Sequence, residues 1–208
     1  ETPFLYGRIA ENENFTNRRN ETEFLKKNFK GLINTVIISP RRWGKASLVH
    51  KVAKLISEEE KDVIICQVDI FNCRTEEEFY TVFANSLLKS TTTVWEEFVG
   101  GVKKYLGRLA PIVSISDATQ TYELSFGIEF KDSRLSYDEI LDLPQVIAND
   151  TKKRIVVYID EFQNINEYEE PLAFQRKLRS HWQKHTSVCY CLYGSKRHML
   201  LNIFYNYG

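Results

Sequence analysis

Four short apolar runs, each handing on to a segment with helical spacing, restrict what this chain can fold into more than any other feature. TVIIS (Thr35 to Ser39), DVIICQVDIF (Asp62 to Phe71), RIVVYIDEF (Arg154 to Phe162) and SVCYCLYGS (Ser187 to Ser195) are rich in β-branched and aromatic residues and read as buried strands. Helices are predicted around them. One runs from about Lys45 to Glu58, where Leu48, Val49, Val52 and Leu55 recur at helical intervals. Thr75 offers the next an N-cap, with Glu76, Glu77 and Glu78 in the first turn, where the helix dipole favours acids. Helical patterns then continue to about Leu109, broken near Thr91 to Thr93. YDEILDLPQVIAND is helical with Pro144 as a kink or break, and Pro171 suits the first turn of a helix reaching about Lys184. ETEFLKKNF, with Phe24, Leu25 and Phe29 on one side, opens the helical series and KRHMLLNIF closes it. Strands alternating with helices imply an α/β fold, a mainly parallel sheet with helices on both faces. Residues 111–132 break the alternation with apolar and polar residues alternating about a polar centre, which predicts an inserted β-hairpin.

A length of 208 residues suits one domain, and 43% hydrophobic with 27% charged residues is enough for a sizeable core. Twenty-eight basic against 28 acidic residues leave no overall field drawing nucleic acid or a membrane surface. There is no signal peptide and no apolar stretch of about 18 residues, so no membrane role and a reducing, cytoplasmic setting are expected. Cys66, Cys73, Cys189 and Cys191 fall in or beside apolar runs; Cys189 and Cys191 alternate on one strand and are expected to fill core volume. A chain that begins at Glu1 without methionine and stops at NIFYNYG reads as trimmed or partial.

Where the first strand gives way to helix, SPRRWGKAS (Ser39 to Ser47) approaches the phosphate-binding form G-x-x-x-x-G-K-[ST]. Ser39 replaces the first glycine, and Ala46 stands where a hydroxyl should hold magnesium. Such a turn aims backbone N–H groups at an anion; Gly44 would allow close approach and Lys45 would bridge the outer phosphates. Arg41 and Arg42 flank the loop, where they would touch phosphates or simply face water, and Trp43 is expected to pack locally. Alone, the stretch is explained equally well as a strand-to-helix turn with a surface lysine. The second element is VVYIDEF. A nucleotide hydrolase needs one carboxylate at a strand's C-terminal end for the magnesium water shell and a neighbour to orient the attacking water. Asp160 and Glu161 supply both, roughly 115 residues after Lys45, and the two motifs corroborate each other.

FLYGR, NFTNRRNE, SPRRWGKASLV, VVYIDEFQNI and YGSKRHMLLNIF stand in the order seen in prokaryotic AAA+-like ATPases related to the STAND class. The chain resembles the archaeal-type ATPases of that group over nearly its whole length. The resemblance implies an ASCE-type P-loop NTPase fold, with the Walker B strand beside the P-loop strand and a further strand between them in sequence. It implies ATP and Mg2+ as ligands, bound by the loop Ser39, Pro40, Arg41, Arg42, Trp43, Gly44, Lys45, Ala46 and Ser47. Lys45 takes the phosphates, Asp160 the magnesium, and Glu161 becomes the catalytic base. Ser195 takes the place of a polar sensor of the γ-phosphate, and it also suits an N-cap for the last helix. Residues 1–30 become a nucleotide-box segment whose Phe15, Asn17 and Arg18 fold over the adenine, although a solvated loop charge explains Arg18 equally well. A further core strand and a lid are implied after NIFYNYG, so the C-terminus stops short of the family pattern, and a protein or DNA partner would bind through regions beyond residue 208.

Relatives usually carry Ser or Thr where Ala46 stands, and Ser47 points about 100° further round the helix, so it substitutes poorly. The leading expectation is a slow ATPase that switches contacts with a partner; the alternative is a non-hydrolysing nucleotide-gated module. A small-molecule kinase fits the Asp-Glu-Phe segment poorly. ATP is favoured over GTP partly through the resemblance and partly because no N-K-x-D segment is present. His181 and His185 have a spacing compatible with zinc but read as a solvated helix face, and Arg179 reads as a surface arginine rather than an arginine finger. The hairpin carries few basic residues and suits a protein contact or a local minicore better than phosphate tracking. Self-association is left open.

Overall fold

The computed structural model describes residues 18–39, 43–91, 110–115, 122–127 and 136–195, with 110–115 and 122–127 described by their backbone. Helix α1 (Arg19–Lys30) leads into β1 (Thr35–Ile38), and α2 (Lys45–Glu59) into β2 (Val63–Asp69). Helix α3 (Glu76–Thr91) precedes two strands, β3 (Ala110–Ile115) and β4 (Tyr122–Gly127), which pair antiparallel as a separate two-stranded sheet. Helix α4 (Tyr137–Thr151), β5 (Arg154–Asp160), a short 3-10 helix (Phe162–Glu167), α5 (Pro171–Trp182) and β6 (Val188–Gly194) complete the described chain.

The main sheet has the order β1-β6-β5-β2, with every neighbouring pair parallel. Burial explains the order. All seven residues of β6 are buried, and β5 is exposed only partly at its two ends, so these two take the centre. Strand β2 alternates between buried and more open positions, and β1 leaves Val36 37% exposed, so both sit outside. Two expectations change here. The runs at β1 and β2 are border strands among the described elements rather than fully buried ones. The acid-bearing β5 does not lie beside β1 either: β6 separates them, because its uninterrupted apolar sequence is better covered between two strands than at a border.

Each sheet face has its own core. Leu25 and Phe29 of α1 and Leu48, Val49, Val52 and Ile56 of α2 pack on Val156, Tyr158, Cys189, Cys191 and Tyr193. Cys189 and Cys191 are wholly buried there, and burial pushes the Cys189 thiol up to about 12, which keeps it protonated. Helices α3, α4 and α5 cover the other face around an aromatic group in which Phe79 meets Phe174 edge-on at 5.1 Å and Trp182 stacks on Tyr190 at 4.1 Å. Phe24 does not join Leu25 and Phe29; it is 64% exposed, being one position off the buried stripe of α1.

Local signals set several element ends. Thr75 Oγ1 accepts from Glu78 N at 3.2 Å while Glu78 Oε2 accepts from Thr75 N at 3.3 Å, and Ser136 with Glu139 forms the same reciprocal box at the start of α4. Pro144 lies inside α4, which runs unbroken from Tyr137 to Thr151 with Pro144 buried. The histidines are not a solvated face. His181 Nδ1 lies 2.7 Å from Asp142 Oδ1, and His185, beyond the end of α5, lies 3.3 Å from the same oxygen and 2.8 Å from the Tyr190 hydroxyl. Arg179 lines a cavity of about 600 Å3 with Asn34, Thr35 and Trp182, at the amino end of β1, away from the strand ends that carry the acids. The last predicted helix, KRHMLLNIF, lies outside the described residues.

Arg154 holds the amino edge of the sheet together. Its guanidinium donates to both carboxylate oxygens of Asp62 at 2.9 and 3.0 Å, to Glu60 at 3.1 Å and to the Lys30 carbonyl at 2.9 Å. These bonds tie β5 to the ends of α1 and α2. Arg154→Met is expected to cost about 1–2 kcal/mol, and Arg154→Lys to recover less than half, since one ammonium cannot make a planar fork; urea midpoints of the three proteins measure it.

Candidate nucleotide site

In a parallel sheet all strands end at one edge. That edge collects Ser39 after β1, Asp69 at the end of β2, Asp160 at the end of β5, and Gly194 with Ser195 at the end of β6. The chain then turns into α2 through Gly44, whose φ of +65° is the left-handed conformation that glycine adopts without a Cβ penalty. A Cβ there would meet nothing within 4 Å, so the glycine answers to backbone angle and not to crowding. Among the described residues no side chain caps the N-terminus of α2, and no acid lies in its first turn. The positive end of this 15-residue helix is therefore left uncompensated, as suits an anion.

Lys45 is buried at the start of α2, and its Nζ donates to the Ser39 carbonyl at 2.9 Å. A peptide oxygen is a modest acceptor for an ammonium; a phosphate oxygen is a stronger one at similar reach. Ala46 packs against the core shared by α1 and α2, and Ser47 is buried one position on. Trp43 is 60% exposed. Pro40, Arg41, Arg42, Phe15 and Asn17 lie outside the described residues. Arg18 is the N-cap of α1, where its carbonyl accepts from Thr22 N at 2.9 Å.

Across the edge, Asp160 is paired in register with Asp69. Its carboxyl is held up at about 6, first by burial, with the charges of Glu161 and Asp69 adding to the rise; the Glu161 N–H, donating to Asp160 Oδ1 at 2.7 Å, and the Lys45 charge pull it down. Lys45 and Asp160 are thus in mutual electrostatic reach. Glu161 itself adopts φ +53°, a left-handed conformation uncommon for a residue with a side chain. That turn aims its carboxylate at the end of β6, where Ser195 Oγ lies 3.4 Å from Glu161 Oε2. Gln163 Nε2 donates to the same oxygen. Asn164 Nδ2 bonds the carbonyls of Ile70 at 3.3 Å and Phe71 at 3.1 Å, tying the turn after β5 to the end of β2.

Of the residues singled out in the sequence, the structure brings Ser39, Gly44, Lys45, Asp160, Glu161 and Ser195 to one edge. It adds Asp69, Gln163 and Asn164, which sequence reading passed over. Polar residues after a strand normally signal a solvated turn; only burial distinguishes Gln163, which has no exposed surface. Among the described residues, three buried oxygens near this edge, Ser39 Oγ, Tyr193 Oη and Gln163 Oε1, have no hydrogen-bond partner. The Tyr193 hydroxyl feels the charges of Asp160 and Asp69 besides its burial, which keep it protonated. Unpaired buried hydroxyls, a lysine on a substitutable acceptor and an uncapped helix end fit a polyanion carrying a cation.

The raised Asp160 has a consequence for stability. An ordinary aspartate ionises near 3.8, so the unfolded chain gives up its proton before the folded one, and the burial penalty grows from about pH 4 to pH 6 and is full above it. Asp160→Asn is expected to stabilise the nucleotide-free protein at pH 7.5 by on the order of 1–2 kcal/mol, and the gain to vanish by about pH 4. Thermal unfolding of both proteins across that range checks the sign.

No curated protein matches the chain. Among solved structures it resembles a Walker-type ATPase of Pyrococcus abyssi at a TM-score of 0.59 and 15% identity, over 97% of this chain and 51% of that one. It also resembles the Aeropyrum pernix ORC2 protein in ADPNP–ADP complexes at 0.55 and 15%, over 98% and 47%, and the Aeropyrum pernix ORC1 protein in complex with DNA at 0.57 and 9%, over 98% and 44%. The chain spans about half the length of these proteins, and at such identities the likeness establishes the fold, that of an α/β P-loop NTPase. The KAP family P-loop domain matches residues 43–170, which include both Gly44–Lys45 and Asp160–Glu161. A parallel sheet with a glycine-lysine helix start and an acid pair at its carboxyl edge, matched across more than half its length, places this chain in the KAP family of P-loop NTPase domains, a nucleotide-binding family.

Proposed function

We propose that the chain binds ATP at the turn Ser39–Ser47 and hydrolyses it slowly, as a switch that changes its contacts with a protein or DNA partner. The observation that carries this reading is the convergence of Lys45, at the helix start that follows the border strand β1, and Asp160, at the end of the central strand β5, on one carboxyl edge. In this reading Lys45 leaves the Ser39 carbonyl for the outer phosphates, and the N-terminus of α2 holds their oxygens. Bound magnesium would neutralise charge on the outer phosphates, with Asp160 holding its water shell. Glu161 orients the attacking water, and Ser195, beside it, meets the γ-phosphate. Phe15, Asn17 and Arg18 close over the adenine. ATP is preferred to GTP because the chain has no N-K-x-D segment, and a similarly folded protein was solved with ADPNP and ADP. A DNA partner draws support from the likeness to a protein solved in complex with DNA. The setting proposed is cytoplasmic; among the described residues no helix is long and apolar enough to cross a membrane.

Ala46 favours a second reading. Its methyl group packs on the α1–α2 core and offers the cation no oxygen, so a nucleotide-gated module that binds without turnover is the alternative. Single-turnover hydrolysis of labelled ATP separates the two. Lys45→Ala is expected to weaken binding of a fluorescent ATP analogue by about a hundredfold, the loss of a charge-assisted phosphate contact; unchanged affinity refutes the site. Ala46→Ser is expected to hydrolyse ATP faster than the native sequence at limiting magnesium, and equal rates there would remove the role given to position 46.

A further inference from the structure

Among the described residues, Gln163 is the one fully buried polar side chain that faces the acid pair, and the established chemistry of a phosphate cradle gives it nothing to do. Its Nε2 donates to Glu161 Oε2 and lies 3.5 Å from Asn164 Oδ1. Among the described residues its Oε1 has no hydrogen-bond partner, and it lies against the α-carbon of Gly194, where any Cβ would overlap it. The amide is therefore wedged between the turn after β5 and the end of β6, and only glycine at 194 leaves room for it. Glu161 needs such a hold. It stands in a left-handed conformation at the junction of β5 and the 3-10 helix, a geometry that persists where surrounding contacts over-determine it. Gln163 and Ser195 both meet Oε2, so the described hydrogen bonds hold the carboxylate by one oxygen and leave the other, Oε1, without a described donor.

We propose that Gln163 is a positioning residue: its buried amide, seated against Gly194, fixes the Glu161 carboxylate so that Oε1 alone is offered to the attacking water. The proposal rests on the reading of Glu161 as the water-orienting group. It assigns Gly194 a part as well, since the glycine makes the seat. A water misplaced by about 1 Å costs on the order of a hundredfold in rate, whereas phosphate contacts made by Lys45 and α2 are untouched. Loss of the amide should thus appear in kcat and not in nucleotide affinity.

Gln163→Met keeps the volume of the buried side chain and removes the donor; Gly194→Ala keeps the donor and removes its seat. Both are expected to retain affinity for a fluorescent ATP analogue within about twofold while kcat falls about 10- to 100-fold with KM unchanged. In a Glu161→Gln background, Gln163→Met is expected to lower the residual rate no further, as two residues acting through one carboxylate must. The side-chain amide protons of Gln163, followed by NMR, are expected to shift on Glu161→Ala, a readout independent of turnover. Native kcat in Gln163→Met, an equal fold-loss in the Glu161→Gln background, or amide resonances indifferent to Glu161→Ala each overturn the proposal. Native turnover in Glu161→Gln with a shifted Gln163 amide instead overturns the role of Glu161 and leaves the contact standing as structure only.

Discussion

A carboxylate kept at the end of a strand buried on both faces is the constraint to which the rest of this structure answers. Strand β5 is apolar from Ile155 to Ile159 because β6 and β2 flank it and helices cover it above and below. Carrying that run straight into Asp160 places a carboxylate where burial disfavours its charge. The surroundings compensate in part: the Glu161 N–H turns back onto Asp160, and Lys45 lies within reach of its charge. The remaining imbalance is the reason the edge is suited to a cation and an anion bound together.

The two left-handed residues at this edge, Gly44 and Glu161, follow from the same demand. A chain leaving β1 must reverse quickly if the N-terminus of α2 is to face that edge, and Gly44 makes the turn without a side-chain penalty. A chain leaving β5 must bend aside to let Glu161 look toward β6, and its φ of +53° is uncommon for a residue with a side chain and is held here by contacts from Gln163 and Ser195. Asn164, bonded to the carbonyls of Ile70 and Phe71, fixes the far end of that bend to β2. Three strands thus contribute to one short turn, and the acid pair inherits the rigidity of the sheet.

Much of this was legible beforehand. The α/β alternation, the helix beginning at Lys45, the cap at Thr75 and the reversal through the hairpin all rest on local chemistry: period, β-branching, a hydroxyl before a row of acids. The misreadings also share a cause. Phe24 reads as core by composition but stands one position off the stripe, an error of angle that only packing against α2 resolves. Pro144 reads as a break, yet burial against α3 and the sheet carries the helix through it. His181 and His185 read as a wet surface because Asp142, their common partner, is some forty residues earlier on another helix.

By itself the sequence determined the class of fold, the glycine-lysine helix start and the presence of two acids at a strand's end, since each depends on residues within a few positions of one another. Only the tertiary structure decided that β6 separates β1 from β5, that Asp69 comes level with Asp160, and that Gln163 is a buried wedge rather than a wet turn residue. Those facts depend on which strand lies beside which. Strand order is chosen by the global competition for buried positions, to which distant segments contribute together and which no local pattern encodes.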